Sequence, residues 1–162
     1  MHVTNNLLEK QSGLGERIFY GTMILFAGLS IILGLRLVYI ASGSMAPTLP
    51  PGTICIARDI DVENRLPQRG DIVVFRFVAE EDILLAKRII GLPGDKLAAE
   101  DDILTVNGVI FDEIPGTGSW TADVPAGYIF CMGDDRDNSY DSRRFGCVPI
   151  ENLVAKILFL GP

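Results

Sequence analysis

The chain has 162 residues, enough for one domain with a single core plus a short appendage, and a formal net charge of −7. Beyond residue 36, Asp and Glu outnumber Lys and Arg by 19 to 11, the wrong sign for a protein that neutralises nucleic-acid phosphates. Zinc-ligand spacing and a phosphate-cradling glycine loop are both missing from the sequence, so neither a metal, a cofactor nor a nucleic-acid partner is expected.

Residues 1–16 read as a short polar tail, and residues 17–40 as a membrane anchor. Within the anchor, residues 18–35 form an 18-residue run without a charge, roughly 27 Å long as a helix and close to the hydrocarbon thickness of a bilayer. Residues 37–40 extend it, with Arg36 placed to snorkel to the interface. A buried core helix is disfavoured because the remainder reads as β and offers no second long helix to cover it. A cleaved signal peptide would carry a shorter apolar region of about 7–15 residues, although Ala41-Ser42-Gly43-Ser44 does supply small residues of the kind found at cleavage sites. A retained single-pass anchor is the expectation. Lys10 and Arg17 before the run, against Arg36 after it, give only a slight bias toward a cytoplasmic N-terminus.

Residues 41–162 are expected to form an extracytoplasmic, mostly β domain: a compact antiparallel, barrel-like sheet carried on the single helix. It opens with Ser42-Gly43-Ser44-Met45-Ala46-Pro47-Thr48, a hydroxyl-bearing loop at the membrane edge in which either serine can be imagined as reactive. Strand-sized apolar runs follow at 54–57, 71–78 and 83–91, the last ending at Leu92-Pro93-Gly94-Asp95. Residues 103–106 and 109–111 flank Asn107-Gly108, a type I′ hairpin turn by composition. Then come a loop at 116–123, a strand at 128–132, a polar loop at 133–144, a short strand at 145–149 and a closing strand at 153–160. Cys55, Cys131 and Cys147 lie in apolar strand-like contexts and read as small hydrophobes, with oxidation of one pair the alternative in an extracytoplasmic domain.

The only histidine is His2, ahead of the anchor and across the membrane from Ser44 in a single-pass topology. A Ser-His-Asp triad is thereby excluded. A serine hydrolase built on this chain needs another base, and a lysine with a depressed pKa is the chemically available one. Lys87 is the candidate. Period-2 alternation in Ile83–Gly91 puts it on one face with Leu85 and Ile89, and Arg88 on the other with Ala86 and Ile90. Desolvation by apolar neighbours lowers a lysine pKa, whereas an exposed strand lysine would be the ordinary alternative. The segment Gly133–Arg143 (GDDRDNSYDSR) alternates carboxylates with guanidinium donors, which suits bidentate pairing that fixes a loop. It lacks the spacing of an EF-hand calcium loop.

Four blocks in this order resemble the type I signal peptidase family: Ser42-Gly43-Ser44-Met45-x-Pro47-Thr48, Arg69–Phe75, Lys87-Arg88-x-x-Gly91-x-Pro93-Gly94-Asp95, and Gly133-Asp134-x-Arg136-Asp137-Asn138-Ser139-x-Asp141-Ser142-Arg143. They span most of the chain beyond residue 41. The resemblance implies a membrane-anchored Ser/Lys endopeptidase that removes signal peptides from exported preproteins at the outer face of the cytoplasmic membrane. It implies Ser44 as nucleophile, Lys87 as general base, and Ser139 as the group that orients the lysine amine. Ser42 with the backbone N–H of Ser44 would form the oxyanion hole. Asp141 with Arg143, and Asp134 with Arg136, would brace the loop. Substrates would carry small residues at the first and third positions before the cut, in pockets supplied by strands such as 71–78 and 83–91. Asp135 stands where asparagine is common in the family, and Ala41 where proline is frequent. The stretch 96–127 leaves no room for the large second β domain of some members. The compact size also resembles signal peptidases of conjugative transfer systems, which mature pilin subunits. A self-cleaving Ser/Lys regulator is disfavoured because residues 1–40 hold no DNA-binding region. An inactive paralogue serving as a membrane scaffold is disfavoured because Ser44 and Lys87 are both present.

Overall fold

The computed structural model describes residues 28, 33–61, 63, 67–77, 83–115 and 117–160. The tail 1–16, His2 and the anchor up to residue 32 (apart from residue 28) lie outside the described residues, as do Val78 and Gly116. No described helix is long and apolar enough to cross a membrane. The chain divides into two compact units, residues 1–35 and 36–162.

The second unit is built of antiparallel β-structure. Strands β1 (Leu35–Tyr39), β2 (Ile54–Asp59), β3 (Ile72–Phe77), β4 (Ile83–Gly91), β9 (Tyr128–Met132), β10 (Val148–Pro149) and β11 (Leu153–Leu160) form a seven-stranded sheet in the order β1-β2-β11-β3-β4-β9-β10. Strands β5 (Lys96–Glu100), β6 (Ile103–Val106), β7 (Val109–Glu113) and β8 (Trp120–Asp123) form a separate four-stranded sheet in the order β7-β6-β5-β8. One helical turn, α1 (Ser142–Phe145), joins β9 to β10.

The continuous apolar run of β3 reflects burial on both faces. Ile72 and Val74 pack with Met45, Leu49, Cys55, Ala57 and Ala155, whereas Val73 and Phe75 pack with Ile89, Ile129, Cys131, Val148 and Leu153 on the other side. A third core joins the ends of β4 and β9 to the small sheet through Ile90, Leu97, Leu104, Val106, Phe130 and Met132, with Trp120 stacked on Phe130 at 5.5 Å. Gly91 lies where the two meet. A Cβ there would fall 2.8 Å from the Val124 side chain, so no larger residue fits without displacement.

Asn107 and Gly108 take φ of +54° and +79°, the left-handed pair that a type I′ turn requires. The Asn107 side chain also accepts from the Lys96 N–H (2.9 Å) and donates to Asp95 (2.8 Å). Asp95 receives in addition the Leu92 N–H at 2.6 Å and Arg69 at 2.8 Å. Burial alone would raise its pKa, but these donors outweigh that cost and hold the carboxyl below its ordinary value.

The structure departs from the sequence reading at four places. The last residues of the expected anchor are not helical: Leu35–Tyr39 is edge strand β1, and Arg36 pairs with Asp59 on β2 through its Nε–Nη2 edge. β5 (KLAAE) is rich in residues that disfavour strands, and it forms because β6 and β8 pair with it on either side. Part of the expected loop 116–123 is strand β8. The expected strand 145–149 shrinks to Val148–Pro149, with Phe145 in α1. All three cysteines are free, with Cys55 and Cys131 fully buried.

Candidate active site

Ser44 sits in a single 3-10 turn, Gly43–Met45, directly after β1. Met45 anchors the turn by burying its side chain (1% exposed) beside Leu49, and the Leu49 N–H donates to the Met45 carbonyl at 2.8 Å. From the other side the Asp135 N–H donates to the Ser44 carbonyl at 3.2 Å. An apolar plug and a strand-end loop thus fix the serine backbone between them.

Lys87 projects from the middle of β4 and is 2% exposed. Its Nζ lies 2.6 Å from Ser44 Oγ and 3.1 Å from Ser139 Oγ. Burial lowers its pKa from the ordinary lysine value of 10.5, and the Asp141 carboxylate opposes that fall only in part. Of the two serines in the opening loop, only Ser44 meets the amine. Ser42 is exposed, with its Oγ 3.5 Å from Ser44 Oγ. The Cys131 thiol beside the lysine is pushed strongly up by burial and stays protonated, so it does not compete as a charge partner.

Ser139 is delivered by the loop after β9. Gly133 lets that loop close: a Cβ at this position would lie 2.2 Å from Ser139 Oγ and 2.4 Å from the Ser44 carbonyl oxygen. Asp141, with no exposed surface, holds the loop from within. It accepts from the Gly133 N–H at 2.9 Å, from Arg143 Nε at 2.9 Å and Nη2 at 2.8 Å, and from the Arg143 N–H at 3.2 Å as the N-cap of α1. Burial works to raise the Asp141 pKa, but Arg143, Gly133 and the Ser139 hydroxyl together hold it below its ordinary value. Arg143 also donates to the Arg136 carbonyl at 2.6 Å, and the Ser142 hydroxyl accepts the Cys131 N–H at 3.0 Å.

The expected pairing of Asp134 with Arg136 is not the principal one. Asp134 binds Arg88 in a fork, at 2.7 Å to Nε and 2.5 Å to Nη2, while Arg136 approaches it only at 4.0 Å. Arg136 instead reaches Asp112 on β7 at 2.6 Å and the Gly133 carbonyl. The sequence reading overlooked Arg88 and Asp112. Arg88 follows Lys87 directly, so period-2 alternation sends it off the lysine's face toward Asp134 and the Gly70 carbonyl, which accepts at 2.8 Å. Nothing in the hairpin sequence marked Asp112. Among the described residues no group of three His, Cys, Asp or Glu is placed to hold a metal.

Ser44 opens into a groove of about 360 Å³. One wall is Leu37–Ala41 leading to Ser42, the other Leu84, Leu85 and Ala86 of β4, with Val74 and Ala155 between them. The site therefore has a polar serine-lysine contact, with the amine buried, beside a groove lined mostly by apolar side chains.

A family model described as signal peptidase, peptidase S26, matches residues 15–160 of the chain. A signal peptidase I of Bacillus caldolyticus is 38% identical over 158 residues, covering 83% of this chain and 86% of that protein. A signal peptidase I of Pseudomonas aeruginosa is 33% identical, covering 93% and 74%. A mitochondrial ATP-independent inner membrane protease subunit 1b of Arabidopsis thaliana is 34% identical, covering 75% and 66%. Among solved structures, a signal peptidase I of Enterococcus faecalis is similar at a TM-score of 0.49 and 33% identity, over 55% of this chain and 94% of that one.

Proposed function

We propose that this chain, which belongs to the signal peptidase (peptidase S26) family and is a serine peptidase hydrolase, cuts signal peptides by a Ser44–Lys87 pair working without histidine. The observation that carries the reading is the 2.6 Å approach of a buried lysine amine to a serine hydroxyl, with Ser139 at 3.1 Å on the amine's other side. A neutral amine has two N–H groups and one lone pair. With one N–H donated to Ser139, the lone pair is left to take the Ser44 proton as Oγ attacks the scissile carbonyl. The ammonium then returns that proton to the leaving amine. Lys87 next activates the water that releases the acyl group from Ser44, so a single base serves both half-reactions. The Ser44 N–H and the Ser42 hydroxyl, whose Oγ lies 3.5 Å from Ser44 Oγ, are the donors that would meet the carbonyl oxygen of the tetrahedral intermediate. Asp141, Arg143, Asp134 and Arg88 act on the chemistry by holding Ser139 and the loop.

The groove takes the residues before the cut as an extended strand, and the shallow walls of Val74, Ala86 and Ala155 suit small side chains at alternate positions. The apolar run within residues 17–40, read as a membrane anchor, supports work at the outer face of the cytoplasmic membrane, where preproteins emerge. The test is N-terminal sequencing of a preprotein incubated with the full chain in detergent. The wild type yields one new N-terminus, with small residues at the first and third positions before the cut, and Ser44→Ala and Lys87→Ala yield none. Cleavage by either variant would refute the pair.

A further inference from the structure

A second cleft, sharing no lining residue with the groove, lies beyond the catalytic pair along β4 and along the serine loop. β4 gives Leu84, Leu85 and Ala86 to the groove, then Lys87 to the reaction, then Arg88 to a second cleft of about 430 Å³. The serine loop divides in the same way: Ser42, Ser44 and Met45 line the groove and Thr48 lines the cleft, with Arg88 Nη2 3.5 Å from Thr48 Oγ1. The facing wall of the cleft is Phe111, Asp112 and Glu113, the last three residues of β7. The cleft thus lies where a peptide laid through the groove with its scissile carbonyl at Ser44 would continue.

The direction of travel follows from the walls. The groove is walled by β1, which continues directly from the membrane-length run, and it is apolar; the cleft is charged and contributed partly by the small sheet. On the function proposed above, the signal peptide therefore occupies the groove and the mature segment occupies the cleft.

The charges in the cleft are unequally used. Arg88 is taken up by Asp134 at 2.5 and 2.7 Å, and Arg136 by Asp112 at 2.6 Å. Glu113 is exposed and makes no ion pair among the described residues, which leaves the lining with one uncompensated negative charge. We propose that this cleft binds the first residues after the scissile bond and that Glu113 makes it select by charge, favouring Lys or Arg there over Asp or Glu.

The experiment uses the full chain in detergent and preproteins that differ only in carrying Lys or Glu at the first, second or third residue after the cut. The wild type is expected to show a Lys-over-Glu preference in kcat/KM at one or more of these positions, of about 2- to 5-fold as for a partly exposed charge pair. Glu113→Gln should bring that ratio toward unity and Glu113→Lys should invert it. The preference should shrink near 1 M salt, where the screening length is about 3 Å. A wild type that cuts neither preprotein overturns the underlying function, and this inference with it. A wild type that cuts both, with a ratio unmoved by Glu113→Lys, overturns the inference alone.

Discussion

Lys87 is at once costly to bury and the residue the proposed chemistry needs. Its folded pKa lies below 10.5, so between the two values the unfolded chain binds more protons than the folded one, and stability rises with pH across that window. At neutral pH the buried amine therefore costs stability. Lys87→Met, which fills the same space without the amine, is expected to lower cleavage by at least about a thousandfold while leaving the melting temperature no lower than wild type. Parallel loss of activity and of melting temperature would make the residue structural. In the wild type the base must be neutral, so kcat/KM should climb with pH through the lowered lysine pKa and level off before 10.5. A profile with no ascending limb below 10.5 would contradict a lysine base. The sequence supplied Lys87 by elimination, because the only histidine, His2, lies ahead of the expected anchor. It could not supply the full burial that depresses the pKa, since that needs β3 and β9, strands apart in sequence that flank β4, with Val73 in register with Lys87.

The element that decides the geometry is the loop from β9 to α1. Its composition showed that guanidinium and carboxylate groups would pair, and Asp141 with Arg143 do so two residues apart, where chain proximity limits the choices. Asp134 and Arg136 are equally close in sequence, yet each bonds more closely elsewhere, to β4 and to β7, because those strands present better-oriented partners. Gly133 is the hinge of this arrangement. Gly133→Ala is expected to displace the Ser44 carbonyl or Ser139, since backbone at 2.4 Å cannot yield as a side chain can. A misplacement near 1 Å costs about a hundredfold in rate, so single-turnover cleavage should fall by that order with β-sheet circular dichroism unchanged. Undiminished turnover would show that the close approach is not needed.

At the scale of the whole molecule, buried carboxylates tie the pieces together. Asp95 joins the turn after β4 to the small sheet's hairpin, Asp134 joins β4 to the active-site loop, and Asp141 locks that loop. All three have pKa values below the ordinary 3.8. A depressed folded pKa means stability that is complete above the unfolded value and drains away as pH falls through the folded one. The melting temperature should accordingly hold steady from neutral pH to about 5 as far as these groups are concerned, and fall progressively below about 4. Asp95→Asn, which keeps the shape and loses the charge, should flatten part of that decline. An acid limb identical to wild type in that variant would remove Asp95 from the account.

The sequence by itself determined what is local or written as a motif. It showed the β character of residues 54–57, 83–91 and 128–132, the Asn107-Gly108 turn, and the ordered blocks that placed the chain beside the signal peptidases. These follow from side-chain period, left-handed turn preference and residue identity, none of which needs a partner strand to be seen. Only the tertiary structure decided that Leu35–Tyr39 leaves the apolar run as an edge strand, that the weak strand β5 is held by its neighbours, and that Arg88 and Asp112 belong to the site. The motif resemblance had already given the two serines different roles; the structure adds that Ser44 lies 2.6 Å from an amine 43 residues away. Hydrogen bonding between strands, desolvation and charge pairing act through space, so residues remote in sequence settle them.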